Sequence, residues 1–196
     1  WIKSASTLIG GLKHIPGVRQ WLDQLSEPKL FSVPENIADH IIVAGYGRVG
    51  KVLVNILLNR GYTVLVIENS EAAIQRLRHR DIPFVYGDAD AEQVLAKTHL
   101  ETAKALAIAL PDPISTRLLL QRALLRASGL EIIARSHTDQ EIDLLTQLGA
   151  REVVQPEFEA AMELGSHLLR TLGEEPHEIQ LVLEAIRSDR YRSIRG

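Results

Sequence analysis

From His40 to Val154 the apolar residues come in short runs, separated by stretches in which they recur every three or four positions. Ile41-Ile42-Val43-Ala44 is a run of strand length. It breaks into Gly45-Tyr46-Gly47-Arg48-Val49-Gly50, after which Val49, Val52, Leu53, Ile56 and Leu57 fall on one side of a helix. The same alternation repeats down the chain. A helix over 48–60 stops at Gly61; strand 63–67 leads to helix 70–80; strand 83–86 leads to helix 91–97, capped by Asp90. Strand 104–110 leads to helix 114–127, capped by Asp112; strand 131–135 leads to helix 139–148; a short strand at 152–154 closes the series.

Strands that alternate with helices predict a parallel sheet covered on both faces. Six strands wound outward from 41–44 take the order 3-2-1-4-5-6, a Rossmann-like, doubly wound α/β fold. No strand pattern precedes His40. Residues 1–39 read as a linker, or as a lever to an upstream module, with a short helix over 18–25 and breaks at Pro28 and Pro34. Two more helical stripes follow the sheet, Phe158, Ala161, Met162, Gly165, Leu168, Leu169 and Leu172, then Ile179, Val182, Leu183 and Ile186. A finished six-stranded unit has little bare surface for both. A second copy of the chain is therefore the expected partner, with packing onto the chain's own sheet as the alternative. The charged stretch 187–196 reads as frayed. The expected organisation is a linker at 1–39, a nucleotide-binding domain at 40–155 and dimerisation helices at 156–196.

The glycine turn carries the candidate chemistry. In G-x-G-x-x-G the first glycine lets the chain reverse, the second lets bare backbone approach a phosphate, and the third lets helix and strand pack closely. The helix that follows points unpaired N–H groups and a partial positive charge at an anion. The next strand ends in Glu68, about 20 positions beyond the glycines, where a carboxylate takes the hydroxyls of an adenosine ribose. Such a carboxylate repels a 2′-phosphate, which disfavours NADP. A turn whose glycines serve packing alone is the alternative. Arg48 reaches a phosphate or stands in solvent; Asp88 touches adenine or ribose or caps a turn; Arg135 serves anions or pairs with a carboxylate such as Glu157.

Composition narrows the classes. The chain has 196 residues, 45% hydrophobic, a net charge of −3 and no cysteine. A nucleic-acid partner is disfavoured without a basic excess, and disulfides, thiolate nucleophiles and cysteine metal sites are excluded. No stretch approaches the roughly 18 apolar residues of a membrane helix. The start, Trp1-Ile2-Lys3, lacks an initiator Met and reads as a piece of a longer protein. The seven histidines show no H-x-x-x-H spacing and there is no G-x-S-x-G elbow. No catalytic or metal-binding residue is therefore assigned, and an enzyme is not expected.

Val43-Ala44-Gly45-Tyr46-Gly47-Arg48-Val49-Gly50, Glu68, Tyr86-Gly87-Asp88-Ala89, Ile132-Ile133-Ala134-Arg135 and Leu148-Gly149-Ala150 leading to Gln155-Pro156-Glu157 together resemble the RCK domain, also called KTN or TrkA-N. The resemblance spans roughly 40–172. Within that family the chain is similar to the C-terminal domain of Kef-type monovalent cation:proton antiporters. Pro156-Glu157-Phe158-Glu159-Ala160-Ala161 and the leucines after it resemble the crossover helix through which such domains dimerise. The resemblance implies a regulatory domain on the cytoplasmic face of the membrane. It would bind AMP, ADP, ATP or NAD(H) and gate K+ or Na+/H+ antiport by an attached membrane domain. It also implies site roles: Gly45, Tyr46, Gly47, Arg48, Val49 and Gly50 at the phosphates, Glu68 at the ribose, Asp88 and Ala89 at the adenine, Arg135 and Glu157 near the outer phosphates or an ion, with Asn69 as a further nucleotide-binding residue. Asp90 departs from the Thr or Ser that the family often carries. The rival reading is an NAD-dependent oxidoreductase fragment without its substrate domain.

Overall fold

The computed structural model describes residues 30–195; the helix expected over 18–25 lies outside the described residues. The strands are β1 (Phe31–Ser32), β2 (Ile41–Ala44), β3 (Val64–Glu68), β4 (Phe84–Tyr86), β5 (Ala105–Ile108), β6 (Glu131–Arg135) and β7 (Glu152–Val154). The helices are α1 (Arg48–Asn59), α2 (Glu71–His79), α3 (Glu92–Leu95), α4 (Pro113–Arg126), α5 (Asp139–Gln147), α6 (Pro156–Thr171) and α7 (Pro176–Arg195), with a 3-10 turn at Leu100–Thr102.

The sheet runs β1-β4-β3-β2-β5-β6-β7, so β2 is the strand from which the chain winds outward in both directions. Its register is fixed on both sides: Ile41 lies opposite Val64 and Ala105, and Ala44 opposite Ile67 and Ile108. The six parallel strands keep the expected order. The sheet has a seventh strand that the sequence pattern does not reveal, because β1 pairs antiparallel with β4 over two residues, both exposed. An edge pairing made by backbone alone needs no apolar alternation.

Alternate side chains of each strand point to opposite faces. Ile42, Ala44, Leu65, Ile67, Leu106, Ile108, Ile132 and Ala134 meet Leu95 of α3, Leu119 and Leu120 of α4, and Ile142 and Leu145 of α5. On the other face Val43, Val64, Val66 and Phe84 meet Val54 of α1 and Ile74 and Leu77 of α2. With both faces covered, β2 and β3 read as unbroken apolar runs rather than as alternations. Just before β2, His40 is fully buried and its Nε2–H donates to the Thr98 carbonyl at 2.9 Å. Burial holds its pKa below the ordinary 6.5.

Three local readings are corrected. The N-cap of α3 is Ala91, without a side-chain cap, rather than Asp90. β5 ends at Ile108, two residues short of the expected 110, and the buried Ala109 still gives its N–H to the Ala44 carbonyl at 2.8 Å before the chain reaches Pro111. The tail is not frayed at 187–190. Arg187 bonds Glu159 at 2.8 Å, and Arg190 bonds Asp139 and Gln155 and lies 4.1 Å from the Phe158 ring centroid.

The two C-terminal helices divide the expected stripe. α6 and α7 pack against each other, and Met162 and Ser166 of α6 and Ile179 of α7 are buried. Leu164, Leu168 and Leu172, one helical turn apart, are 71%, 60% and 71% exposed. Of the expected stripe, Met162 turns inward and Leu168 and Leu172 face out; Leu164, outside it, joins them.

Candidate functional site

β2 has β3 on one side and β5 on the other, so the loops leaving these three strands part above it. A crevice at such a point is where ligands enter open parallel sheets. Here it is a cleft of about 470 Å3, lined by the glycine turn, the ends of β3 and β4, the loop after β5 and Arg135 of β6. That volume is of the size of small-molecule sites.

Gly45 and Gly50 answer to packing. Gly45 has φ +95°, and a Cβ on it would stand 3.1 Å from the Ala109 carbonyl oxygen. A Cβ on Gly50 would lie 1.9 Å from the Gly45 carbonyl oxygen, closer than atoms can approach. Gly47 is different. Its φ of −75° suits any residue, and a Cβ there would meet nothing within 4 Å. It lines the cleft. It is also the N-cap of α1, and no side chain caps that helix.

Two other helices starting at this edge of the sheet are capped by a side chain, whereas α2, α3 and α6, like α1, have no N-cap side-chain bond. Asp112 accepts from Ser115 N–H on α4 at 2.6 Å, and this hydrogen bond holds its carboxyl below the ordinary carboxylate range. Thr138 and Glu141 form a capping box on α5. Glu68 serves α2: its Oε1 accepts from the amides of Asn69 at 3.0 Å and Ser70 at 2.8 Å. Its Oε2 accepts from Tyr46 N–H at 2.6 Å. The acid at the end of β3 thus braces the glycine turn against α2 and still lines the cleft. A carboxylate has about four lone-pair sites, so one remains for a ligand hydroxyl.

Of the twelve residues expected in the site, Gly45, Gly47, Arg48, Val49, Glu68, Asn69, Asp88, Ala89 and Arg135 line this one cleft. Three do not. Gly50 lies beneath the turn. Tyr46 gives its amide to Glu68 and its ring, 2% exposed, to the core under α1 and α2. Glu157 stands behind Arg135, at 3.4 Å from its Nη2. The Asp88 carboxylate accepts from the Asn69 side-chain amide at 2.8 Å, so these two face each other across the mouth. Arg48 opens α1 after the central β2 and Arg135 ends β6; Glu68 and Asp88 lie on the β3–β4 side, and the Asp112 carboxylate, already bonded to Ser115 N–H, lies on the β5 side. The two arginines and the Glu68 and Asp88 carboxylates can meet an anionic group and a hydroxyl-bearing group of one ligand.

Sequence reasoning missed Leu110, Pro111, Asp112 and Ser115, which wall the cleft opposite Asp88. Asp112 reads as a helix cap and is one. That the loop after β5 must border the glycine turn follows from the strand order, which is the signal that could have found them.

Comparisons with known proteins follow this geometry. Residues 41–156 match the TrkA-N domain. The chain is 36% identical over 129 residues to YbaL of Escherichia coli strain K12, a protein assigned as a cation/proton antiporter, covering 66% of this chain and 23% of YbaL. It spans about a quarter of the length of that relative. The crystal structure of the YbaL TrkA-N domain, an inner membrane protein of Escherichia coli, matches with a TM-score of 0.63 at 36% identity, over 66% of this chain and 96% of that one. The Kef CTD of Shewanella denitrificans, in its AMP-bound form, matches with a TM-score of 0.71 at 25% identity, over 79% of this chain and 94% of that one. Among the described residues no helix is long and apolar enough to cross a membrane.

Proposed function

Because the chain belongs to the TrkA-N domain family, we propose that it is the nucleotide-sensing regulatory part of a monovalent cation:proton antiporter, bound to an adenine nucleotide in the cleft above β2. Gly47 is the observation that carries this reading. Neither its backbone angle nor its neighbours require a glycine, and the space its missing side chain leaves is the cleft itself. A phosphate seated there would meet the uncapped start of α1, with Arg48 and Arg135 beside it. Glu68 and Asn69 would hold the ribose, and Asp88 and Ala89 would border the adenine. AMP bound to the Kef CTD supports a ligand of this class.

Gating needs two states that bind the nucleotide differently. We infer that two copies of the chain pair through α6, whose exposed Leu164, Leu168 and Leu172 form a ready apolar seam. Arg135 and Glu157 link the cleft to the first turn of that helix, so occupation of the cleft bears directly on the seam. The residues before β1 then serve as the connection to a membrane domain that exchanges K+ or Na+ for protons, with this part on the cytoplasmic side.

A thermal-shift titration with AMP, ADP, ATP, NAD+ and NADH tests the reading. A ligand at 100 times its Kd stabilises the fold by about 2.7 kcal/mol. A selective rise in Tm that disappears in Gly47→Asp, whose carboxylate would occupy the phosphate position, is the expected result. A folded protein that responds to none of the five overturns it.

A further inference from the structure

A second cavity lies behind the glycine turn. It has a volume of about 320 Å3 and is lined by Tyr46, Lys51, Asn55, Arg76, His79 and Arg80, from the turn, α1 and the end of α2. No carboxylate lines it. Among the described residues, Lys51, Arg76, His79 and Arg80 form no ion pair. Cations in the last turn of a helix complement its dipole, which accounts for Arg76 and His79 on α2. It does not account for Lys51, which comes from the first turn of α1, nor for the posture of Arg80.

The Arg80 guanidinium is held by two neutral acceptors, the Tyr46 hydroxyl at 2.7 Å from Nη1 and the Asn55 carbonyl oxygen at 2.7 Å from Nη2. Held by these two bonds, the guanidinium borders the cavity with three of its five N–H donors uncommitted among the described residues. A planar guanidinium fork with a lysine beside it suits the oxygens of a phosphate group. Tyr46 lines the rear cavity and, though it does not line the cleft, is bonded to a residue that does. Its amide is bonded to Glu68 in the nucleotide cleft and its hydroxyl to Arg80 in the rear cavity.

We propose that this rear cavity is a second anion site, specific for a phosphate group, and that it is coupled to the cleft through Tyr46. The coupling rests on the reading in which the cleft binds a nucleotide; the site itself does not. A phosphate that recruits Arg80 loosens or re-aims the Tyr46 side chain, and with it the amide that Glu68 holds. The effect is reciprocal, since a nucleotide that shifts Glu68 changes phosphate affinity by the same factor.

The first test is calorimetric titration of the chain with inorganic pyrophosphate in the Gly47→Asp background, where the cleft is closed to anions. Saturable binding is expected to persist there. It should weaken at least about tenfold on adding Arg80→Gln, as for a lost charge-assisted hydrogen bond, and also on adding Lys51→Gln, which disturbs no hydrogen bond of the fold. The source of the phosphate is read in parallel with vesicles of phosphatidylcholine containing phosphatidic acid. Sedimentation with the vesicles that Arg80→Gln abolishes marks a lipid headgroup, and pyrophosphate binding without sedimentation marks a soluble phosphate. If Gly47→Asp removes all pyrophosphate binding, or neither probe binds, the site is overturned. The coupling is tested with AMP: beyond the competition at the cleft that both chains share, pyrophosphate should change AMP affinity by a larger factor in the unmodified chain than in Tyr46→Phe. An equal factor in the two chains overturns the coupling and leaves the site standing.

Discussion

The glycine turn and the α6–α7 pair stand at opposite degrees of completeness. In the turn, almost every polar group is answered by another group of the same chain: Glu68 alone holds three amides, and Asn69 meets Asp88. The exceptions, the uncapped start of α1 and the bare Gly47, both face one cleft. In the helical pair the apolar inventory is not answered, since Leu164, Leu168 and Leu172 stay exposed while Met162 and Ile179 are buried. In the proposed function a nucleotide completes the first region and a second copy of α6 the second.

The sharpest way to break this comparison lies within the turn, where two glycines three positions apart should respond in opposite ways. Gly50→Ala drives a Cβ into the Gly45 carbonyl, and overpacking of this kind costs about 1–3 kcal/mol or more. A clear drop in Tm is expected by calorimetry. Gly47→Asp should leave the unliganded stability within about 0.5 kcal/mol of its original value, as for a surface substitution, and remove the nucleotide-induced rise in Tm. If both variants unfold alike, Gly47 is a packing residue and the cleft loses its best argument.

The helical end is broken by charge. Leu168→Glu places a carboxylate on the exposed side of α6, where it disturbs no buried contact of the chain. The expected outcome is a shift from dimer to monomer by sedimentation velocity, with nucleotide binding retained. A double substitution with Leu164→Glu should complete the shift. A chain that sediments as the same species before and after would remove α6 as the seam.

What could be read in advance follows the same division. The six parallel strands and their order were legible because burial on both faces forces continuous apolar runs, and three glycines before a helix are a local signal. The bracing by Glu68 was not legible. The residue was placed correctly at the end of β3, but its bonds to Tyr46, Asn69 and Ser70 depend on how the turn closes. The outer leucines of α6 were only partly legible, because the helix is apolar on two sides and periodicity cannot say which side meets α7. β1 left no trace, since two exposed residues joined by backbone carry no pattern.

The smallest expected effect separates the framework from both regions. His40 sits just before β2, at the end of the strand away from the cleft, with Nε2–H on the Thr98 carbonyl and no donor to Nδ1. Burial lowers its pKa in the folded protein below the unfolded value near 6.5. As pH falls below that value the unfolded chain takes up a proton that the native state refuses, so the unfolded state gains. The stability His40 contributes is therefore fully present above about 6.5 and is lost as pH falls from there through the folded pKa. His40→Gln keeps an N–H for Thr98 and removes the titration. Denaturant melts across this window should show a shallower loss of stability on acidification in the variant than in the unmodified chain. Because His40 touches neither the cleft nor α6, the difference between the two chains should be the same with nucleotide bound and with Leu168→Glu in place. A difference that changes with either would mean that β2 transmits strain from its base to the glycine turn, and the two regions could no longer be treated as separable.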